Sequence, residues 1–173
     1  MGLVSIVAAA GIAGSIGSEP VDTTAAQSAT PTPVWIYFAT PVTHKSGEVT
    51  YRYRILNTGL GPIAEIQIGI APSLEEPELS EAPIGWDPDS NNCPPSMRVP
   101  PGWTGCIGRQ EESDRFYLII TAKGDSTCLH PGSELSVNVM VARADSAYRK
   151  ARFFALSTSL PNYEGKVTPE DEP

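Results

Sequence analysis

The stretch VTYRYRILNTGLGPIAEIQIGI, residues 49–70, alternates apolar and polar side chains, breaks on a Gly-rich corner and alternates again. In an extended chain successive side chains point to opposite faces. Val49, Tyr51, Tyr53 and Ile55 therefore share a buried face, and Thr50, Arg52 and Arg54 share a wet one. After the TGLGP corner, Ile66, Ile68 and Ile70 are expected inward, with Glu65 and Gln67 outward. The two runs suggest an antiparallel pair in which Arg52 or Arg54 faces Glu65, a contact of about 0.2–1 kcal/mol if exposed.

The same period recurs along the chain. VWIYFAT (34–40), RFYLIIT (115–121), ELSVNVMVAR (134–143) and RKARFFALST (149–158) have strand patterning, and a short strand is expected near Met97–Val99. No segment carries a sustained helical stripe, and the 17 Pro and 15 Gly punctuate the apolar runs as turn residues do. The expected fold is all-β: one antiparallel, immunoglobulin-like β-sandwich over residues 34–160 with one long loop strapped by a disulfide.

YRYRILNTGLGPIAEIQIGI resembles the second and third strands of bacterial extracellular immunoglobulin-like or fibronectin type III-like domains, where an aromatic-alternating strand ends in Asn-x-Gly and a short corner. LHPGSELSVNV (129–139) is similar to the Leu-x-Pro-Gly-x-x-Tyr corner of fibronectin type III domains, with Leu135 in the place of the corner Tyr. The resemblance covers about half of the folded part. It implies the sandwich and no activity.

The flanks differ in kind. MGLVSIVAAAGIAGSIG (1–17) is uncharged and apolar, shorter than the roughly 20 residues of a membrane span. It is expected to be a secretory signal lacking its basic leader. Residues 18–33, small, polar and Pro-punctuated, are expected to be a flexible linker, and the acidic residues 161–173 a disordered tail. These features place the protein at the bacterial surface, in the periplasm or outside the cell, without stable membrane insertion once the signal is removed. The formal net charge of −8, with no Lys/Arg cluster, excludes a nucleic-acid partner.

The unusual chemistry lies in residues 71–114, a long segment without strand patterning. It holds two similar pieces, APIGWD ending around Trp86 and PPGWTG around Trp103, each with Gly before Trp to allow a tight turn. The indoles are expected to cap the sandwich. The alternative is an aromatic platform for a sugar, made of Trp86 and Trp103 with Asp87, Asp89, Asn91, Asn92 and Arg109 as polar neighbours.

An exported chain oxidises its thiols. Of Cys93, Cys106 and Cys128, the pair Cys93–Cys106 is expected to bridge, with Cys106–Cys128 as the rival. No Cys-x-x-Cys occurs, and His44 and His130 lie apart, so no zinc site and no other cofactor is expected.

Asp87, Asp89 and Asn91 copy the first half of a calcium loop, but Asn92 replaces the required Gly and Arg98 the bidentate Glu. A looser calcium site or a solvated Asx turn remains. No nucleophile elbow, phosphate-cradling loop or carboxylate in an apolar pocket occurs, so catalysis is not expected. A hydrolase would need a constellation assembled across loops, for instance Glu111, Asp114 and His130. The leading expectation is a non-catalytic structural or protein-interaction module. The runner-up is a carbohydrate-binding module.

Overall fold

Two five-stranded sheets face each other, in the orders β10-β1-β2-β7-β4 and β5-β6-β3-β8-β9. The computed structural model describes residues 33–89, 93–110, 112–159 and 161–170. The expected signal (1–17), nearly all of the linker, Asn91, Asn92, Glu111 and the last residues of the tail lie outside them. The strands are β1 (Val34–Thr43), β2 (Val49–Asn57), β3 (Ile63–Ile68), β4 (Met97–Arg98), β5 (Trp103–Arg109), β6 (Phe116–Ala122), β7 (Glu134–Val141), β8 (Arg152–Ser157), β9 (Tyr163–Lys166) and β10 (Thr168–Pro169). The order β1-β2-β7-β4 facing β3-β8-β9 is that of strands A-B-E-D and C-F-G in immunoglobulin sandwiches, with the β5–β6 hairpin added beside β3.

The alternating rows build the interior. Val49, Tyr51, Tyr53 and Ile55 are buried with Val34, Ile36 and Phe38 of β1 and with Leu135, Val137, Val139 and Val141 of β7. They face Ile63, Ile66 and Ile68 of β3, Leu118 and Ile120 of β6, and Phe153 and Ala155 of β8. Each such side chain contributes about 1.5–3 kcal/mol by leaving water, which is why the period-two pattern dictates the layering.

The expected β2–β3 pair does not form. β2 pairs with β1 and β7, whereas β3 pairs with β6 and β8 in the opposite sheet. The corner at Asn57–Pro62 carries the chain across the sandwich instead of folding it back, because both apolar rows must meet face to face. Arg54 accordingly pairs with Glu134 at 3.4 Å and Glu170 at 2.9 Å. Glu65 accepts from Gln67 at 2.7 Å and from Thr121 at 3.2 Å. A bulge between Ile63 and Glu65 shifts the inward set to Ile63, Ile66 and Ile68, and Ile70 falls beyond the strand, half-buried.

Asn57 fixes that crossing. Its amide is fully buried, donates to Gly61 O at 2.9 Å and Leu129 O at 2.7 Å, and accepts from Gly59 N at 2.9 Å. A buried amide left unpaired costs about 1–3 kcal/mol, so three partners make Asn57 the clasp between the β2–β3 and β6–β7 turns.

Three further strands appear where none was expected. WTGCIGR forms β5, although its alternate Gly residues hide the strand pattern. Tyr163–Lys166 and Thr168–Pro169 lie in the segment expected to be a tail, yet pair with β8 and β1. Both flanks of the sandwich are thereby crossed by the chain itself, from β4 to β5 through residues 99–102 and from β9 to β10 through buried Val167. Crossings of this kind shield sheet edges from pairing with other chains.

The β7–β8 corner is held by tyrosines. Tyr51 Oη donates to Asp145 O and accepts from Asp145 N, both at 2.9 Å. Tyr53 Oη donates to Tyr148 O at 2.8 Å, and Tyr148 Oη to Glu81 O at 2.8 Å. The Tyr51 and Tyr148 rings stack at 4.6 Å. The Asp145 carboxylate accepts from Ser80 N at 2.9 Å, Ser80 Oγ at 3.1 Å, Glu81 N at 3.3 Å and Ala147 N at 2.8 Å. In the Leu-x-Pro-Gly corner that residues 129–139 resemble, Leu135 stands in the place of a Tyr. Leu135 is buried there, and the hydroxyl bonds are made at the β7–β8 corner.

Burial raises the pKa of all three phenols, strongly for Tyr53 and Tyr148. Burial alone would also raise that of Asp145, but the bonds from Ser80, Ala147 and Glu81 overcome it and hold the carboxyl below its ordinary value. A carboxylate lowered in the folded state stabilises above its unfolded pKa, and that gain disappears as pH falls through the folded pKa. Asp145→Asn should therefore lower stability at neutral pH and flatten the acid loss below about pH 4, as read by denaturant titration across pH. Tyr53→Phe should cost about 1–2 kcal/mol by leaving the Tyr148 carbonyl unpaired, measured by the same method.

Candidate functional site

The two Gly-Trp pieces form the same local structure. Trp86 N donates to Pro83 O at 3.1 Å, and Trp103 N to Pro100 O at 3.2 Å, closing two four-residue turns. Gly85 and Gly102 sit third in those turns with φ of 78° and 89°, a conformation that disfavours a Cβ.

The turns send their indoles to different places. Trp103 is 7% exposed and lies opposite Ala122 at the end of β6. Trp86 is half-buried, its ring edge-on to Phe116 at the start of β6, 5.1 Å between centroids. Six residues of strand separate these anchor points, about 20 Å. Trp103 belongs to the buried core and Trp86 packs against it from the other end of β6. Arg109 is exposed at the far end of β5 from Trp103. Asp87 Oδ1 accepts from Asp89 N at 3.0 Å, the bond of an Asx turn.

The remaining sequence candidates are also dispersed. Asp114 precedes β6 and His130 follows it, so strand length separates them. His130 O accepts from Ser133 N at 3.0 Å within a turn. Glu81 pairs with Arg143 at 2.9 Å. Among the described residues no group of three His, Cys, Asp or Glu is placed to hold a metal ion.

Cys93 and Cys106 form a disulfide, and Cys128 is free and buried. The bridge joins the segment ahead of β4, at the edge of the first sheet, to β5, at the edge of the second. It also anchors Pro95 and Ser96, which form one wall of the principal cleft.

That cleft, of about 510 Å³, lies on the outer face of the first sheet. Its floor is Thr50 and Arg52 of β2, Asn138 and Met140 of β7, and Arg98 of β4. Ile84 and Gly85 form the second wall, and His44 of the β1–β2 hairpin closes the end. The register places Arg52, Asn138 and Arg98 in one row across three strands. Arg52 Nε donates to Asn138 Oδ1 at 3.2 Å, and His44 Nε2 meets Thr50 Oγ1 at 2.8 Å. The two walls stand over β7 because Ile84 N donates to Met140 O at 2.9 Å and Met140 N to Ser96 O at 3.2 Å.

A second feature shares this outer face. Trp35 and Tyr37 of β1 present nearly parallel rings, 15° apart in plane with centroids 6.3 Å apart, and the Arg54 guanidinium lies 5.2 Å from the Tyr37 centroid. Alternation alone shows these residues, like Arg52, as outward-facing. It does not show which of them lie beside one another.

No known family and no curated protein matches the chain. Solved structures align with the chain at low identity and low TM-score. The GH20 exo-β-N-acetylglucosaminidase of Vibrio harveyi aligns over 80% of this chain and 18% of its own, at 5% identity and TM-score 0.47. An uncharacterized Nocardia farcinica protein with an immunoglobulin-like fold aligns over 80% of this chain and 90% of its own, at 14% identity and TM-score 0.47. A biomass-sensing module of Clostridium thermocellum, described as resembling a family 3 carbohydrate-binding module, aligns over 82% and 99%, at 14% identity and TM-score 0.40. The chain thus spans less than a fifth of the Vibrio harveyi enzyme.

Replacing Cys93 and Cys106 together by Ser should lower unfolding free energy by about 3 kcal/mol, the loop-closure value for this spacing. Denaturant titration measures it. In the native protein Cys128 should resist alkylation until the chain is unfolded, as read by mass spectrometry.

Proposed function

We propose that this chain is an exported, non-catalytic immunoglobulin-like module that binds a partner protein through the outer face of its first sheet. The observation that carries this reading is the cleft on that face, floored by strands and walled by a segment that the Cys93–Cys106 bridge ties down. A strapped wall is pre-organised, which lowers the ordering cost of binding. Disulfides persist in oxidising compartments, which supports the signal and linker assigned to residues 1–17 and 18–33. Among the described residues no helix is long and apolar enough to cross a membrane.

A carbohydrate-binding reading is favoured by one separate observation. The nearly parallel, half-buried Trp35 and Tyr37 rings lie side by side on the same face, with the Arg54 guanidinium against Tyr37. Aromatic faces of this kind suit the apolar side of a sugar ring.

Fractionation of the native host tests the first reading. The protein should appear in the periplasm, on the surface or in the medium, shortened at its N-terminus and carrying one free thiol. Recovery from the cytosol with three reduced thiols would overturn it. Gel retardation by a panel of polysaccharides, lost in Trp35→Ala while the melting temperature holds, would establish the glycan reading in its place.

A further inference from the structure

We infer that the cleft takes an acidic peptide segment, its carboxylates seated on Arg52 and Arg98 to either side of Asn138. This rests on the reading of the chain as an interaction module and names the chemistry of its partner. The volume of about 510 Å³ falls among ordinary ligand sites. What distinguishes the cleft is its charge.

The chain carries a net −8, and Arg54, Arg115, Arg143 and Arg152 each pair with a glutamate. No carboxylate among the described residues pairs with Arg52, Arg98, Arg109 or Arg149, and of these four only Arg52 and Arg98 line one cleft together. Arg52 uses its Nε on Asn138, which leaves the outer guanidinium nitrogens for a ligand. The backbones of the two arginines stand two strand spacings apart, about 10 Å. Long side chains leaning inward over Asn138 can bracket carboxylates on alternate residues of an extended peptide, about 6.8 Å apart. A guanidinium fork matches a carboxylate in two hydrogen bonds, a geometry a single ammonium does not offer.

The walls favour a peptide over an acidic sugar. No Phe, Tyr or Trp lines the cleft, and its one ring, the His44 imidazole, stands at the closed end rather than on the floor, so a sugar ring would find no broad face to stack on. Ile84, Pro95 and Met140 offer aliphatic surface for the side chain between the two acids, and the unbranched Met adapts to its shape.

The test is fluorescence polarisation with a fluorescein-labelled Gly-Glu-Leu-Glu-Gly peptide and its Gly-Gln-Leu-Gln-Gly twin at low salt. The acidic peptide should bind at least about ten-fold more tightly, and its advantage should shrink as salt screens the charges. R52Q and R98Q should each weaken it by about five-fold or more, with the melting temperature unchanged. R115Q, which alters a different surface, should leave it alone. Equal binding of the two peptides, binding of neither, or equal losses in R115Q would overturn the proposal. So would tighter binding of trigalacturonate, which carries the same acid groups on sugars. A negative result from a protein that is exported and oxidised sinks the acidic peptide and leaves the module standing. Cytosolic recovery sinks the module whatever the peptide does.

Discussion

Asp145 holds together three parts of the chain, two through its carboxylate and one through its backbone. It caps the Ser146–Arg149 turn through Ala147 and receives the backbone of Ser80 and Glu81. The Tyr51 hydroxyl grips the backbone of the same residue. An ionised carboxylate in a buried position is costly unless donors surround it. Here the donors come from the β7–β8 corner and from the 71–96 segment, so the charge is stable only when that segment is in place. The knot therefore couples the stability of the β7–β8 corner to the placement of Ser80 and Glu81. The cleft inherits its geometry from that placement, since Ile84 and Gly85 follow Glu81 by only a few residues.

Two further ties complete the placement. The disulfide fixes the far end of the same segment to β5, and the Met140 backbone bonds draw its middle over β7. A long loop carries a large conformational entropy, about 1–2 kcal/mol per residue fixed. Covalent, polar and ladder contacts along its length offset that cost. The result is a pair of walls, Ile84–Gly85 and Pro95–Ser96, over an open sheet face.

The outer face of the first sheet brings an aromatic pair and an arginine row together. Its aromatic pair on β1 and its arginine row across β2, β7 and β4 are products of strand order. Arg52 and Arg98 are 46 residues apart in the chain. They become near neighbours because β7 inserts between β2 and β4, with Asn138 opposite both. On the second sheet Tyr117 lies across Gly108 of β5, Glu65 and Gln67 bond each other on β3, and Arg152 is already paired with Glu164.

Much of this was legible in the amino-acid sequence. Period-two alternation marked β1, β2, β6 and β7, because burying one face of a strand requires it. The Gly before each Trp marked two turns, because the third turn position needs a backbone most residues avoid. Asn57-Thr58-Gly59 marked the corner, where the Asn side chain replaces a backbone bond. Local rules of this kind act over a few residues, so a sequence displays them. β5 escaped notice because its glycines carry no hydrophobic signal, and β9 and β10 because two short, polar strands gain their stability from partners more than a hundred residues away in the case of β10. Which sheet each strand joins, where Trp86 and Trp103 turn, and which arginines meet across Asn138 were settled by tertiary structure alone. Pairing between distant segments depends on the mutual burial of faces that look alike in sequence, and nothing in one strand states which other strand will lie against it.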